Sequence, residues 1–301
     1  MAVVEAALVE APNRGHVEVA TAPTVRFDLA PYDVEAALGL ERELGVSRVM
    51  AQILVRRGLG EPEAARAFLN PAERFSPDRF AGMDTAVGVV RSHVERGTRI
   101  VVHGDYDVDG VCATAVLVRA LWALGADVGW YLPNRADDGY GLSAATVERL
   151  SSNGTGLLIT VDCGITSVDE VSHARLSGLD VLITDHHQPR GDGSLPDAPI
   201  VHPEVGGYPF AGLCGTAVAH KLAEALGADT VAEDLELVAL ATVADLMPLQ
   251  GENRRLVRDG LAQMARTRRP GLRALMEVSR TDPSGLDAAA LGFRLAPRIN
   301  A

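Results

Sequence analysis

Hydrophobic positions fall into three regimes along the chain. Residues 1–25 contain Pro12, Asn13, Gly15 and Pro23 and no sustained period, which predicts a loose tail. From Pro31 to about Glu95 the spacing turns helical, with Val34, Ala37, Leu40 and Leu44, then Val49, Ile53 and Leu54, then Ala64, Ala67 and Phe68, then Ala86, Val90 and Val94. After Gly97 short apolar runs at 99–102, 128–132, 156–161, 181–184 and 200–201 alternate with helical stretches at 111–124, 143–150 and 167–176. Strands separated by helices and short loops predict βαβ units, hence an α/β fold with a largely parallel five-stranded sheet flanked by helices. Consecutive helices follow at 213–226, 231–246, 252–266 and 272–278. The expected division is a flexible tail (1–25), a helical N-terminal lead-in (26–95) and an α/β domain with a helical C-terminal part (96–301).

Composition narrows the class. The chain has 301 residues, 47% hydrophobic and 23% charged, which excludes wholesale disorder. A chain of this size can bury close to three-quarters of its unfolded surface. The net charge of −12 argues against a simple basic protein that coats nucleic acid. Ten arginines against six acidic residues in the last 61 positions leave that part alone basic, either a phosphate-facing side or a solvated helix face. Three cysteines, Cys112, Cys163 and Cys214, lack framework spacing and read as reduced thiols of a cytoplasmic protein. No apolar run approaches a membrane span, and no signal peptide precedes the domain, so no membrane partner is expected.

In an open parallel sheet the ligand site lies beyond the carboxyl ends of the strands. The first strand is followed by His103-Gly104-Asp105-Tyr106-Asp107-Val108-Asp109-Gly110, the third by Asp162-Cys163-Gly164 and the fourth by Asp185-His186-His187. Asp245 ends a later helix that could return to the same rim. Carboxylates crowded without lysines repel one another and protonate unless cations neutralise them. An oxygen-plus-imidazole set without paired cysteines suits manganese or magnesium better than structural zinc. A single Asp at a strand end is more simply a helix cap; the joint occurrence at three strand ends points to metal.

These segments, together with Ala241-Thr242-Val243-Ala244-Asp245-Leu246-Met247-Pro248-Leu249, resemble in order and spacing the four motifs of the DHH phosphoesterase superfamily. Pro133-Asn134-Arg135, Gly139-Tyr140-Gly141-Leu142, Gly251-Glu252-Asn253-Arg254 and Pro297-Arg298-Ile299-Asn300-Ala301 are most similar to its single-strand-specific exonuclease branch, the RecJ family. The resemblance covers residues 30–301. It implies that His103, Asp107, Asp109, Asp162, His186 and Asp245 ligate two divalent cations, manganese or magnesium. Asp162 would bridge them, His103 and Asp107 would complete one shell, and Asp109, His186 and Asp245 the other. His187 would sit at the scissile phosphate, Asp185 would orient the histidines, and Asp105 would support rather than ligate. Arg135, Tyr140, Arg298 and Asn300 would meet substrate. The implied activity is metal-dependent 5′-to-3′ hydrolysis of single-stranded DNA to nucleoside 5′-monophosphates in repair and recombination, with a helicase and a single-strand-binding protein as candidate partners.

Two departures stand out. His202-Pro203 replaces the usual Asn-Pro, which reads as a tolerated exchange, and the chain stops inside its last motif, before the DHH-associated and OB-fold domains of the family. The expectation is a fragment that keeps the metal site, binds single strands weakly and acts with little processivity. The rival readings are a phosphodiesterase of the same superfamily for short oligonucleotides or cyclic dinucleotides, a pyrophosphatase, or a non-catalytic interaction module. Gly104-Asp105-Tyr106, where those small-substrate enzymes tend to carry Asn-Pro, weighs against the first two, and retention of all six candidate ligands weighs against the third.

Overall fold

The short apolar runs become strands buried on both faces, because successive side chains alternate between two layers of helices. A computed structural model describes residues 3–4, 25–26, 31–134 and 141–300. The chain divides into two units, residues 1–69 and 70–301. In the first, β1 (Val3–Val4) pairs antiparallel with β2 (Val25–Arg26), a pairing the tail did not foreshadow. Helices α1 (Val34–Leu44), α2 (Arg48–Arg56) and α3 (Pro62–Leu69) close around Ala37, Leu40, Ala51, Leu54 and Ala65. Asp33 and Ser47 cap α1 and α2 by accepting the Ala36 and Met50 amides, at 3.0 and 3.2 Å.

The second unit carries β3 (Arg99–His103), β4 (Val128–Tyr131), β5 (Thr155–Val161), β6 (Asp180–Thr184) and β7 (Ile200–Val201) in one sheet of order β4-β3-β5-β6-β7. Every pairing is parallel. Ile100, Val102, Leu157, Ile159, Val161 and Leu182 enter a core shared with α4 (Met83–Glu95), α5 (Val108–Ala123), α8 (Gly215–Leu226), α9 (Leu235–Ala244) and α10 (Gly251–Met264). Their neighbours Val101, Leu158, Val181 and Ile183 enter another, beneath α6 (Ala144–Ser152) and α7 (Val168–Leu176). The periodicity had grouped α4 with the helical lead-in, yet its Met83, Ala86 and Val90 belong to the core of the second unit. The chain continues through α11 (Pro270–Val278), a short α12 (Ala288–Ala290), a π turn (Leu291–Leu295) and a 3-10 turn (Ala296–Arg298). Among the described residues no helix is long and apolar enough to cross a membrane.

Helix boundaries differ from the periodicity where polar residues take over the helix ends. The pattern starts α5 at 111, but Asp107 accepts the Gly110 amide at 3.0 Å and starts it at Val108. The pattern starts α9 at 231, whereas residues 230–234 form a turn that ends at the buried Asp234. Asp234 is held by the guanidinium groups of Arg119 and Arg269, and Arg269 also reaches Glu236.

Glu252 and Asn253, singled out by sequence, tie the helical layer together. The single lysine, Lys221, is 1% exposed and donates to Glu252 Oε1 at 2.8 Å, while Tyr208 Oη donates to Glu252 Oε2 at 2.8 Å. Asn253 Nδ2 donates to the Gly212 and Pro248 carbonyls. Breaking a buried pair leaves an uncompensated charge, whereas replacing both partners by neutral groups of similar shape does not. Lys221→Ala should therefore lower unfolding free energy by about 3–5 kcal/mol in a urea titration, and the Lys221→Met, Glu252→Gln pair should recover most of the loss.

Candidate metal centre

The sheet order carries the chain outward from β3 to β4 and back to β5, so the strand order reverses between β3 and β5 and opens a crevice at their carboxyl ends. There the residue after each strand is still held by its neighbour. The Gly104 amide donates to the Tyr131 carbonyl at 3.1 Å, Asp162 to Thr184 at 3.0 Å and Asp185 to Val201 at 3.2 Å. Backbone ladders thus fix where the chemical residues begin. Asp162 then turns with φ of 60°, a left-handed conformation uncommon for a residue with a side chain.

Asp107 caps α5 and Asp109 lies on its first turn, reached through a loop folded tightly back on itself. A Cβ on Gly110 would stand 2.4 Å from the Asp105 amide nitrogen, so only glycine permits this loop. Asp109 crosses to α8: its Oδ2 accepts the Gly215 amide at 2.6 Å, its Oδ1 the Thr216 amide at 2.7 Å, and its carbonyl the Thr216 hydroxyl at 2.9 Å. Gly215 also leaves room for Asp162, whose Oδ1 would lie 2.5 Å from a Cβ there. Asp245 arrives as the C-cap of α9, a helix whose central residues are almost all buried.

Among the described residues three groups of possible donors result, each with atoms within 4.8 Å of one another: Asp105, Asp107 and Asp162; Asp109, His186 and Asp245; Asp162, His186 and His187. Asp162 and His186 belong to two groups each. His186 Nε2 lies 3.1 Å from Asp162 Oδ1 and 3.6 Å from both Asp109 Oδ2 and Asp245 Oδ2. His186 Nε2 and Asp162 Oδ1 are buried and make no hydrogen bond among the described residues. Buried, unsatisfied and convergent carboxylate and imidazole atoms are the donor set of a hard or borderline divalent cation.

The charges agree with that fit. Burial, followed by the carboxylates of Asp109, Asp107 and Asp185, raises the Asp162 carboxyl well above its usual range. Burial and Asp109 push Asp245 up to about 6. These are the marks of anions crowded without a cation. Asp185 differs. Burial alone would raise it, but the His187 imidazole and the Ile165 and His187 amides outweigh burial and lower it. Its Oδ1 accepts from His187 Nδ1 at 2.8 Å, and this hydrogen bond raises the imidazole above the ordinary histidine range. The His187 side chain is 41% exposed, so a substrate can reach it.

The structure thus brings together Asp107, Asp109, Asp162, His186, His187 and Asp245, with Asp185 behind His187. It also brings in Asp105, for which only a supporting part was expected; its spacing of two from Asp107 repeats that of Asp107 to Asp109. His103 falls in none of the three groups; it is fully buried at the end of β3, with Cys163 Sγ 3.7 Å from its Nδ1. Asn300 reaches the centre, its Oδ1 accepting the Val108 amide at 2.9 Å, while Arg298 is exposed and donates to the Arg294 carbonyl. Arg135 and Tyr140 lie outside the described residues. The N-terminus of α8 gives its Gly215 and Thr216 amides to Asp109.

His202, read as a tolerated exchange, does positional work that the sequence concealed. It is fully buried; Nε2 bonds to the His187 carbonyl at 2.8 Å and Nδ1 accepts the Glu204 and Val205 amides at 3.2 and 3.3 Å. Burial lowers its pKa and keeps the ring neutral, as an imidazole that must donate at Nε2 and accept at Nδ1 has to be.

Residues 99–247 match the DHH family, N-terminal domain. The single-stranded-DNA-specific exonuclease RecJ of Bacillus subtilis is 39% identical over 285 residues, covering 93% of this chain and 36% of the relative. A crystal structure of exonuclease RecJ bound to manganese superposes with a TM-score of 0.69 at 38% identity, over 75% of this chain and 58% of that one. RecJ of Thermus thermophilus in complex with Mn2+ superposes with a TM-score of 0.75 at 33% identity, over 91% of this chain and 39% of that one. The chain spans little more than a third of the B. subtilis relative's length. Matching motifs, matching fold and extended identity lead to one conclusion: the chain belongs to the DHH family, on its RecJ branch.

Proposed function

We propose that this chain carries the hydrolytic centre of a metal-dependent, single-strand-specific DNA exonuclease that works from the 5′ end and releases nucleoside 5′-monophosphates. The observation that carries the reading is the convergence of Asp105, Asp107, Asp109, Asp162, His186 and Asp245, from four separate stretches of chain, onto the carboxyl rim of the sheet. The names of the relatives, single-stranded-DNA-specific exonucleases, support the substrate class. Two divalent cations, manganese or magnesium, would be held by Asp105 and Asp107 on one side and by Asp109, His186 and Asp245 on the other, with Asp162 between and His103 in support. When bound, such a pair supplies Lewis-acid activation of water and neutralises charge at a phosphodiester undergoing in-line displacement.

The protein's own groups do the rest. Asp185 fixes the His187 ring and favours its protonated form, from which an imidazolium can donate to a phosphate oxygen or leaving group. His202 holds the His187 backbone from the other side. Asn300 anchors the C-terminal segment to the start of α5, next to Asp107 and Asp109. Arg135, Tyr140 and Arg298 would contact the strand. A cytoplasmic setting is supported by three buried free cysteines. A helicase would supply the single strands, and a single-strand-binding protein would share them.

Asp162→Asn keeps a residue type that tolerates positive φ while removing one of the crowded charges. Its metal-free thermal midpoint should equal or exceed the parent's, while Mn2+ stoichiometry and hydrolysis of a 5′-labelled single strand should collapse. Retained metal-dependent hydrolysis would count against the bridging role.

His187→Ala should lower turnover by about 10²–10⁴-fold with nearly unchanged Mn2+ affinity by calorimetry. A large loss of affinity would move His187 into the ligand set.

Because Asp162 and Asp245 are raised in the metal-free protein, Mn2+ must displace protons to bind. Calorimetry in buffers of different ionisation enthalpy should show proton release. The Asp245 share should fade as pH rises through about 6, with apparent affinity rising over the same window.

A further inference from the structure

The catalytic rim occupies one end of the sheet, and the outer edge at β4 carries an arrangement that hydrolysis does not use. Between β4, the start of β3 and α6 runs a cleft of about 480 Å³ lined by Arg99, Tyr131, Arg149 and Asn153 and by Gly129. The Arg99 guanidinium packs over Gly129, where a Cβ would stand 3.0 Å from Nη2. The Arg149 guanidinium lies 4.2 Å above the Tyr131 ring, and that ring is 5.3 Å from the ring of His103. The end of the cleft at Tyr131 therefore stands level with His103, the last residue of β3. Among the described residues no carboxylate lines the cleft. Arg99 pairs with Asp127 at 3.1 Å, but both side chains are about half exposed and the pair is weak. Among the described residues no carboxylate pairs with Arg149.

We propose that this cleft is a binding track for single-stranded nucleic acid beside the catalytic rim, a proposal that rests on the nuclease reading above. A guanidinium already stacked on an aromatic ring offers its outer face to a base, and its N–H groups together with those of Arg99 meet phosphate oxygens. On a chain of net charge −12, a strip with two arginines and no carboxylate among its described lining residues is where a polyanion can approach. β4 is also a sheet edge, where a second copy could add a strand. Its four residues make a short ladder, and the basic lining favours the nucleic acid.

The test is fluorescence anisotropy of the Mn2+-loaded protein with a phosphorothioate-linked decathymidylate. Arg149→Ala should weaken binding about tenfold and reduce the log–log salt slope by about 0.7, as for one lost phosphate contact on a single strand. Tyr131→Leu should weaken it similarly, and Tyr131→Phe should restore it. Arg96→Ala, which removes the same charge from the exposed end of α4, should change affinity less than twofold. Equal weakening at Arg96 and Arg149, or parent-like binding by Arg149→Ala, would overturn the track and leave the nuclease reading intact. Parent-like DNA binding by Arg149→Ala with loss of self-association in sedimentation would assign the edge to a second copy and overturn it too. A parent protein that neither binds nor cuts the strand would overturn both readings.

Discussion

Mutual repulsion among carboxylates is the constraint around which this fold is arranged. Asp105, Asp107, Asp109, Asp162, Asp185 and Asp245 share one rim, and burial denies most of them the water that would screen them. Such a cluster persists only where the backbone leaves its members no retreat. Here strand ladders extend one residue past β5 and β6, the α5 cap grips Asp107, and two amides of α8 grip Asp109. The left-handed turn at Asp162 is the local sign of the resulting strain.

The remaining layers serve to keep those attachments stiff. α5 and α9 present apolar residues all round, as helices enclosed by others do, and each delivers an acidic residue to the rim at one end. At their other ends, Arg119 on α5 and the start of α9 are joined by the ion pairs at Asp234, with Arg269 from beside α11. Both rods are therefore pinned at both ends. Lys221 and Glu252 do the same between α8 and α10.

Much of this was legible in the sequence because it follows from period and position. The alternation at Ile100, Val101 and Val102 specified a sheet buried on both faces, and the residues after each run specified the rim. What stayed hidden depends on contacts between distant segments. Nothing in the pattern around Glu252 says that its carboxylate meets Lys221, and nothing around His202 says that it will grip the His187 carbonyl. Whether a donor group includes Asp105 depends on loop geometry within eight residues, where spacing alone distributes roles ambiguously. The start of α5 at Val108 was hidden because its cap, Asp107, was also a chemical residue.

Asp109 carries that double use furthest. Its two oxygens hold the first turn of α8, and one of them also faces His186 at 3.6 Å. One carboxylate thus begins a core helix and completes the reactive cluster. A replacement at Asp109 is therefore felt both at the start of α8 and at the cluster around His186. The site is built into the frame of the domain, with one carboxylate shared between the packing of a core helix and the reactive rim.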